Sequence, residues 1–190
     1  MSKVVLFQGD SVTDVDRFLE STDFLGNGYV HMVADKFRES GEDATVINRG
    51  ISGNRTIDLV GRWQQDCIDL APDVVTILIG INDCWRKYDS NDETALEDFK
   101  SRYDRIVKQT VEQTKAQIIL MDPFVLPYPE DRKAWRVTLD PEIHAVRELA
   151  MKYHTHYIPL DAIFAKEALR CGYPALSEDG VHPTKLGHEL

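Results

Sequence analysis

The residues best suited to chemistry in this sequence are a hydroxyl, a carboxylate–imidazole pair and a carboxamide, each in a segment containing glycine. Gly9-Asp10-Ser11-Val12-Thr13 follows the apolar run Val4–Gln8, and Asn48-Arg49-Gly50-Ile51-Ser52-Gly53-Asn54 closes the run Ala44–Asn48. Gly80-Ile81-Asn82-Asp83 follows Val74–Ile79, and Asp179-Gly180-Val181-His182-Pro183 lies near the C-terminal end. Together they supply the groups needed for acyl transfer through a serine nucleophile. A serine hydroxyl stays protonated at neutral pH, so Ser11 needs a base. His182 supplies one, and Asp179, three residues earlier, can accept from the other ring nitrogen. Donors for the developing oxyanion are the backbone N–H groups of Ser11 and Gly53 and the side-chain amide of Asn82.

Neighbouring residues define what surrounds that centre. Asp10 is expected to orient the Ser11 turn at the edge of the substrate pocket. Trp85 and Arg86 follow Asn82 and are expected to overhang the pocket, the indole either stacking on a sugar ring or packing as a lid. Phe124, at the start of the Phe124–Tyr128 segment, is expected to form another wall, and Glu178 adds a carboxylate beside Asp179. Other readings are weaker. Asp14-Val15-Asp16 imitates the DxD of aspartate-nucleophile phosphatases but lies six residues past Gln8, whereas that aspartate sits directly on a strand end. His154 and His156 have metal-like spacing but no evident third ligand. His188 lacks a carboxylate upstream and is the weaker base. Gly9 and Thr13 flank Ser11 where GxSxG needs two glycines, which excludes an α/β-hydrolase elbow. A non-catalytic sugar- or nucleotide-binding module of flavodoxin type is a further alternative. Three carboxylates after the first run would face its phosphate, and neither GxGxxG nor GxxxxGK[ST] occurs.

The elements that must position these groups alternate regularly. Five short apolar runs, Val4–Gln8, Ala44–Asn48, Val74–Ile79, Gln117–Met121 and His156–Leu160, read as strands buried on both faces. Between them, helical periodicity predicts Gly28–Ser40 ending at Gly41, and a helix capped by Thr56 that carries Ile57, Val60, Trp63 and Cys67. It also predicts Leu96–Thr114 with Phe99, Tyr103, Ile106, Val107 and Val111 inward, Pro141–Tyr153 opening with proline, and Asp161–Arg170. Pro183–Leu190 reads as a final helix of about two turns. Strands interleaved with helices predict an α/β fold with a parallel sheet, right-handed crossovers and helices on both faces. Ligands then bind beyond the carboxyl ends of the strands, where the four segments lie.

Composition sets the outer limits. With 22 Lys+Arg against 32 Asp+Glu, the net charge is −10. That balance argues against nucleic-acid and anionic-membrane partners. No stretch reaches the ~18–20 apolar residues of a membrane span, and Val4–Phe7 is too short for a secretion signal. Three dispersed cysteines, Cys67, Cys84 and Cys171, fit a reducing compartment. The protein is accordingly expected to be cytoplasmic, to act on a small-molecule ester, and to be a single domain over residues 1–190. A homo-oligomer stays open.

The four segments resemble those of the SGNH or GDSL-type hydrolases, named for residues matching Ser11, Gly53, Asn82 and His182. The resemblance covers essentially the whole chain. It implies a three-layer α/β/α sandwich with a flavodoxin-like five-stranded parallel sheet in the order 2-1-3-4-5, a triad completed by Asp179, and no metal or organic cofactor. The flanks of Gly53 and Asn82, together with Arg62-Trp63 and Pro72-Asp73, look similar to intracellular bacterial carbohydrate esterases, including acetyl xylo-oligosaccharide esterases. That implies removal of acetyl groups from short sugar chains, with a lysophospholipase or thioesterase acting on longer acyl chains as the alternative. Glu178 departs from the pattern, because near relatives carry a large apolar or aromatic residue there. A carboxylate at that point is expected to raise the histidine pKa and disfavour anionic substrates. Relatives also continue the last helix, which implies a missing tail.

Overall fold

A computed structural model describes residues 2–18 and 24–190. Its centre is a parallel sheet of β1 (Lys3–Gly9), β2 (Ala44–Gly50), β3 (Val74–Leu78), β4 (Gln117–Met121) and β5 (His156–Ile158) in the order β2-β1-β3-β4-β5. The helices are α1 (Ser11–Asp14), α2 (Tyr29–Ser40), α3 (Thr56–Asp66), α4 (Ile81–Asp89) and α5 (Leu96–Gln113), then α6 (Arg136–Tyr153), α7 (Leu160–Cys171), α8 (Tyr173–Leu176) and α9 (Lys185–His188). The expected strand order and the helices on both faces are present.

Alternation along each strand sends side chains to both layers. Leu6, Val75, Ile77 and Leu120 pack with Leu59 and Trp63 of α3, Phe99, Tyr103 and Ile106 of α5, and Val146 and Leu149 of α6. On the opposite face Val5 and Phe7 meet Val30 of α2, while Leu78 and Met121 meet Phe164 of α7. Between α2 and α7 the sheet borders an apolar groove of about 840 Å³, lined by Phe7, Val12, Leu78, Phe164 and His188 among others.

Several boundaries differ from the sequence expectation for local physical reasons. Thr56 does not cap α3. It is the first residue of that helix and fully buried, and its hydroxyl donates to Asp83 Oδ1 at 2.7 Å. The buried face of α3 is therefore Thr56, Leu59 and Trp63, and Ile57 is left exposed. Thr110 displaces Val111 from the inner face of α5 because its hydroxyl accepts from the Trp63 indole at 3.0 Å. Helix α6 starts at Arg136, whose guanidinium is held by both oxygens of Asp161 at 2.5 and 3.0 Å. Pro141 thus lies inside the helix. The carbonyl it leaves without an N–H partner belongs to Val137, which is 78% exposed, so water can satisfy it. Strand β5 stops at Ile158 because Pro159 has no N–H to donate and leads into α7. The last helix is one turn, not two, and begins after Thr184, whose hydroxyl accepts from Gly187 N at 3.2 Å.

Glu142 of α6 is 1% exposed, and neither carboxyl oxygen has a hydrogen-bond partner among the described residues. Burial, reinforced by Asp83, pushes its carboxyl well above the ordinary carboxylate range. The folded state therefore keeps a proton that the unfolded chain releases above pH 4.5, and stability falls as pH rises from there. Glu142→Met is expected to stabilise the protein by about 1–3 kcal/mol at pH 7, the usual cost of an unsatisfied buried polar group. In paired denaturant titrations at pH 4 and pH 7, the advantage should shrink at pH 4. A variant less stable than the parent at pH 7 would contradict it.

Candidate active site

The site is assembled where parallel strands end side by side. Gly9 at the end of β1 lies opposite Gly50 of β2 and Leu78 of β3, so the loops after them emerge together. Asp10 then turns the chain sharply into α1. It is buried at 1% exposure, and its carboxylate accepts from Val12 N at 3.0 Å. This is an N-cap, and it leaves Ser11 at the first helical position. The backbone N–H groups of Ser11 and Gly53 donate to no partner among the described residues.

Ser11 Oγ is 2.8 Å from His182 Nε2, and His182 Nδ1 is 2.6 Å from Asp179 Oδ2. The other oxygen of Asp179 accepts from His182 N at 2.8 Å, Val181 N at 2.9 Å and Ser177 Oγ at 3.1 Å. This closed turn needs Gly180, which has φ +83° and where a Cβ would lie 2.1 Å from Tyr128 O. Burial alone would raise the pKa of Asp179, but the His182 ring and the two backbone N–H groups outweigh it and hold the carboxyl well below the ordinary range. An ionised Asp179 only accepts, so the ring proton belongs on Nδ1 and Nε2 is left as the acceptor for the Ser11 hydroxyl.

The hydrogen bond that the His182 ring donates to Asp179 raises the His182 pKa against the opposing effect of burial, and the charges of Asp179 and Asp10 add to the rise. The second carboxylate acting on the ring is thus buried Asp10, not exposed Glu178. Burial pushes Asp10 itself up to about 7, against the Val12 N–H bond and the pull of His182. His188 is set apart. It stacks on Tyr29 with ring centroids 6.3 Å apart, and burial together with the nearby His182 lowers its pKa to about 4.

Asn82 is 2% exposed in the first turn of α4. Its amide is oriented from both ends: Nδ2 donates to Asn54 O at 3.1 Å, and Oδ1 accepts from Arg86 at 3.3 Å. One amide hydrogen remains for a ligand. Arg86 is expected from the sequence to overhang the pocket, yet its guanidinium serves Asn82 and Asp89. Trp85 is half-buried, with its ring 5.8 Å from His182 and 5.1 Å from Trp135. Phe124 does not wall this cleft. It is 3% exposed and stacks on Phe164 at 3.9 Å, because an apolar ring there gains more by burial against α7.

Sequence reasoning missed Arg132, whose guanidinium covers Trp135 at 4.2 Å and donates to Asp179 O at 3.1 Å. It also missed Asp83 and gave Asp14 no place in the site. Asp14 stands out in the sequence only through its DxD-like spacing and Asp83 only as the end of the Gly80–Asp83 segment, and neither pattern points to the partners they meet here; Arg132 has no local pattern at all. Among the described residues, no group of three or more His, Cys, Asp or Glu side chains is arranged to hold a metal ion, and no helix is long and apolar enough to cross a membrane.

The arrangement can take a proton from Ser11, move it through His182 and bind a negative oxygen beside Gly53 and Asn82. Residues 7–190 match the model of the GDSL-like lipase/acylhydrolase family. The acetylxylan esterase of Geobacillus stearothermophilus is 37% identical over 196 aligned positions, covering 98% of this chain and 89% of the relative. Its crystal structure superposes with a TM-score of 0.87 at 34% identity, over 98% of this chain and 89% of that one. A Parabacteroides merdae structure described as GDSL-like lipase superposes at 0.91 with 32% identity, over 100% and 92% of the two chains. Solved variants of the Geobacillus esterase include two catalytic mutants, one with a serine and one with a histidine replaced by alanine.

Proposed function

Starting from a chain that belongs to the GDSL-like lipase/acylhydrolase family and is a carboxylic ester hydrolase, we propose that it removes acetyl groups from small carbohydrates through an acyl-serine intermediate. The observation that carries this reading is the unbroken hydrogen-bonded chain Ser11–His182–Asp179. Ser11 Oγ attacks the acyl carbon as its proton passes to His182 Nε2. The resulting oxyanion is bound by the N–H groups of Ser11 and Gly53 and the free hydrogen of Asn82. The C–O bond then breaks, His182 returns its proton to the leaving alcohol, and the acyl group stays on Ser11. Water repeats the sequence with His182 as base, releasing the acid and restoring the hydroxyl.

Three observations favour a short acyl group on a sugar. The apolar groove between α2 and α7 is lined by Val12 and Pro183 but not by Ser11, Asn82 or His182, so the three reacting side chains are not part of its lining. The Geobacillus relative is named as an acetylxylan esterase, and Trp85 holds an aromatic surface beside His182. The free thiols of Cys67, Cys84 and Cys171 support a cytoplasmic location. The deciding experiment compares p-nitrophenyl esters of increasing chain length with acetylated xylose and acyl-CoA. Highest kcat/KM on acetyl esters, with turnover of acetylated xylose, is expected. A preference for chains of about eight carbons or more would replace this reading with the lysophospholipase or thioesterase alternative.

Because attack needs a neutral imidazole, kcat/KM should fall as pH drops through the His182 titration. Asp179 places that limb above the ordinary histidine value of 6.5. A rate profile from pH 4 to 9 checks it, and a limb flat down to pH 4 would remove His182 as the base.

A further inference from the structure

We propose that Asp83 and Asp14 are positioning residues that clamp the Gly53 loop from its two sides and so set the distance between the oxyanion donors. This rests on the reading of Gly53 and Asn82 as those donors. Gly53 is exposed with φ +83°, and a Cβ added there would meet nothing within 4 Å. The turn around it is closed by Asn54 N donating to Ile51 O at 3.1 Å, and the placement of that turn depends on the residues at either end of the loop. One before it, Ser52 gives both its N–H and its hydroxyl to Asp14 Oδ2, at 2.9 and 2.7 Å. Three after it, Thr56 gives its N–H to Asp83 Oδ2 at 2.9 Å and its hydroxyl to Oδ1 at 2.7 Å.

Each clamp starts from a helix that carries another part of the site. Asp14 lies on α1 with Ser11, and Asp83 follows Asn82 in the first turn of α4. Asp83 and Thr56 are fully buried, so water does not compete for the bonds between them, while Asp14 is 6% exposed and its partner Ser52 lies at the surface. The Asn82 amide adds a third tie through Asn54 O. The nucleophile, Gly53 and Asn82 are therefore joined by two carboxylates that take no part in the chemistry. Both oxygens of Asp83 act as acceptors, and an asparagine could keep both bonds because the Thr56 hydroxyl can also accept; an alanine removes both and releases one side of the loop. A displacement of about 1 Å in a reacting geometry typically costs about 100-fold.

The test is a steady-state cycle on p-nitrophenyl acetate with Asp83→Ala, Asn82→Ala and the double variant, each checked for folding by circular dichroism. Asp83→Ala is expected to lower kcat about 10- to 100-fold while KM stays within about twofold. The double variant should fall no more than about threefold below the worse single one, since both changes damage one oxyanion site. Full activity in folded Asp83→Ala would overturn the proposal, as would losses that multiply in the double variant. An Asn82→Ala loss below tenfold would instead remove the donor reading itself, and the proposal with it. If Asp83→Ala does not fold, Thr56→Val against Thr56→Ser carries the test. Serine keeps both donors and should recover the activity that valine loses, whereas equal activities would again overturn the clamp.

Discussion

Ser11→Ala is expected to abolish ester hydrolysis, with kcat lower by about 10⁴-fold or more and the melting temperature almost unchanged. The hydroxyl is the only atom group lost. Ser11 is partly exposed at the first position of α1, and among the described residues its Oγ bonds to His182 alone. The N-cap bond that Val12 N donates to the Asp10 carboxylate does not involve the Ser11 side chain and survives. Residual turnover should come from water attacking within the remaining oxyanion site. A variant that keeps a tenth of the parent rate on p-nitrophenyl acetate would mean that another group forms the covalent bond, or that none does.

Asp179→Asn should be nearly as severe, at about 10⁴-fold in kcat, for a different reason. One oxygen of Asp179 accepts from Val181 N and His182 N, and an asparagine must keep its carbonyl there to satisfy them. Its NH₂ then faces His182 Nδ1, where Asp179 Oδ2 accepts at 2.6 Å. A donor in that place forces the ring proton to Nε2, and the imidazole can no longer accept from Ser11. The turn survives while the base is lost. Comparable kcat values for Asp179→Asn and the parent across pH 6–9, with folding intact, would show that the carboxylate neither sets the tautomer nor supports the imidazolium.

The sheet was legible because strands buried on both faces must be mostly apolar, as the central β1 and β3 are, and the edge strands β2 and β5 keep short apolar stretches although they are not buried on both faces. Ser11, Asn82, Asp179 and His182 stood out because they sit in glycine-bearing segments at the ends of elements, where side chains are free to converge. Other features depend on distant partners. Helix α4 was hidden because Gly80-Ile81-Asn82-Asp83 has the composition of a turn and only nine residues are helical. Phe124 follows a strand, as a pocket residue would, but its position is decided by Phe164, forty residues later in the chain. Asp14 and Asp83 look like ordinary solvated acids until Ser52 and Thr56 are brought against them. Pro141 reads as a helix start, yet the ion pair of Arg136 with Asp161 begins the helix earlier.

Covalent labelling gives the most direct measure of whether this hydroxyl and this imidazole form one reactive centre. The protein would be titrated with a fluorophosphonate, with remaining esterase activity, intact mass and the labelled peptide followed together. One label per chain on Ser11, inactivation in proportion to labelling, and none in His182→Ala on the same timescale are expected. A label on another residue, or activity persisting after Ser11 is fully modified, would contradict it.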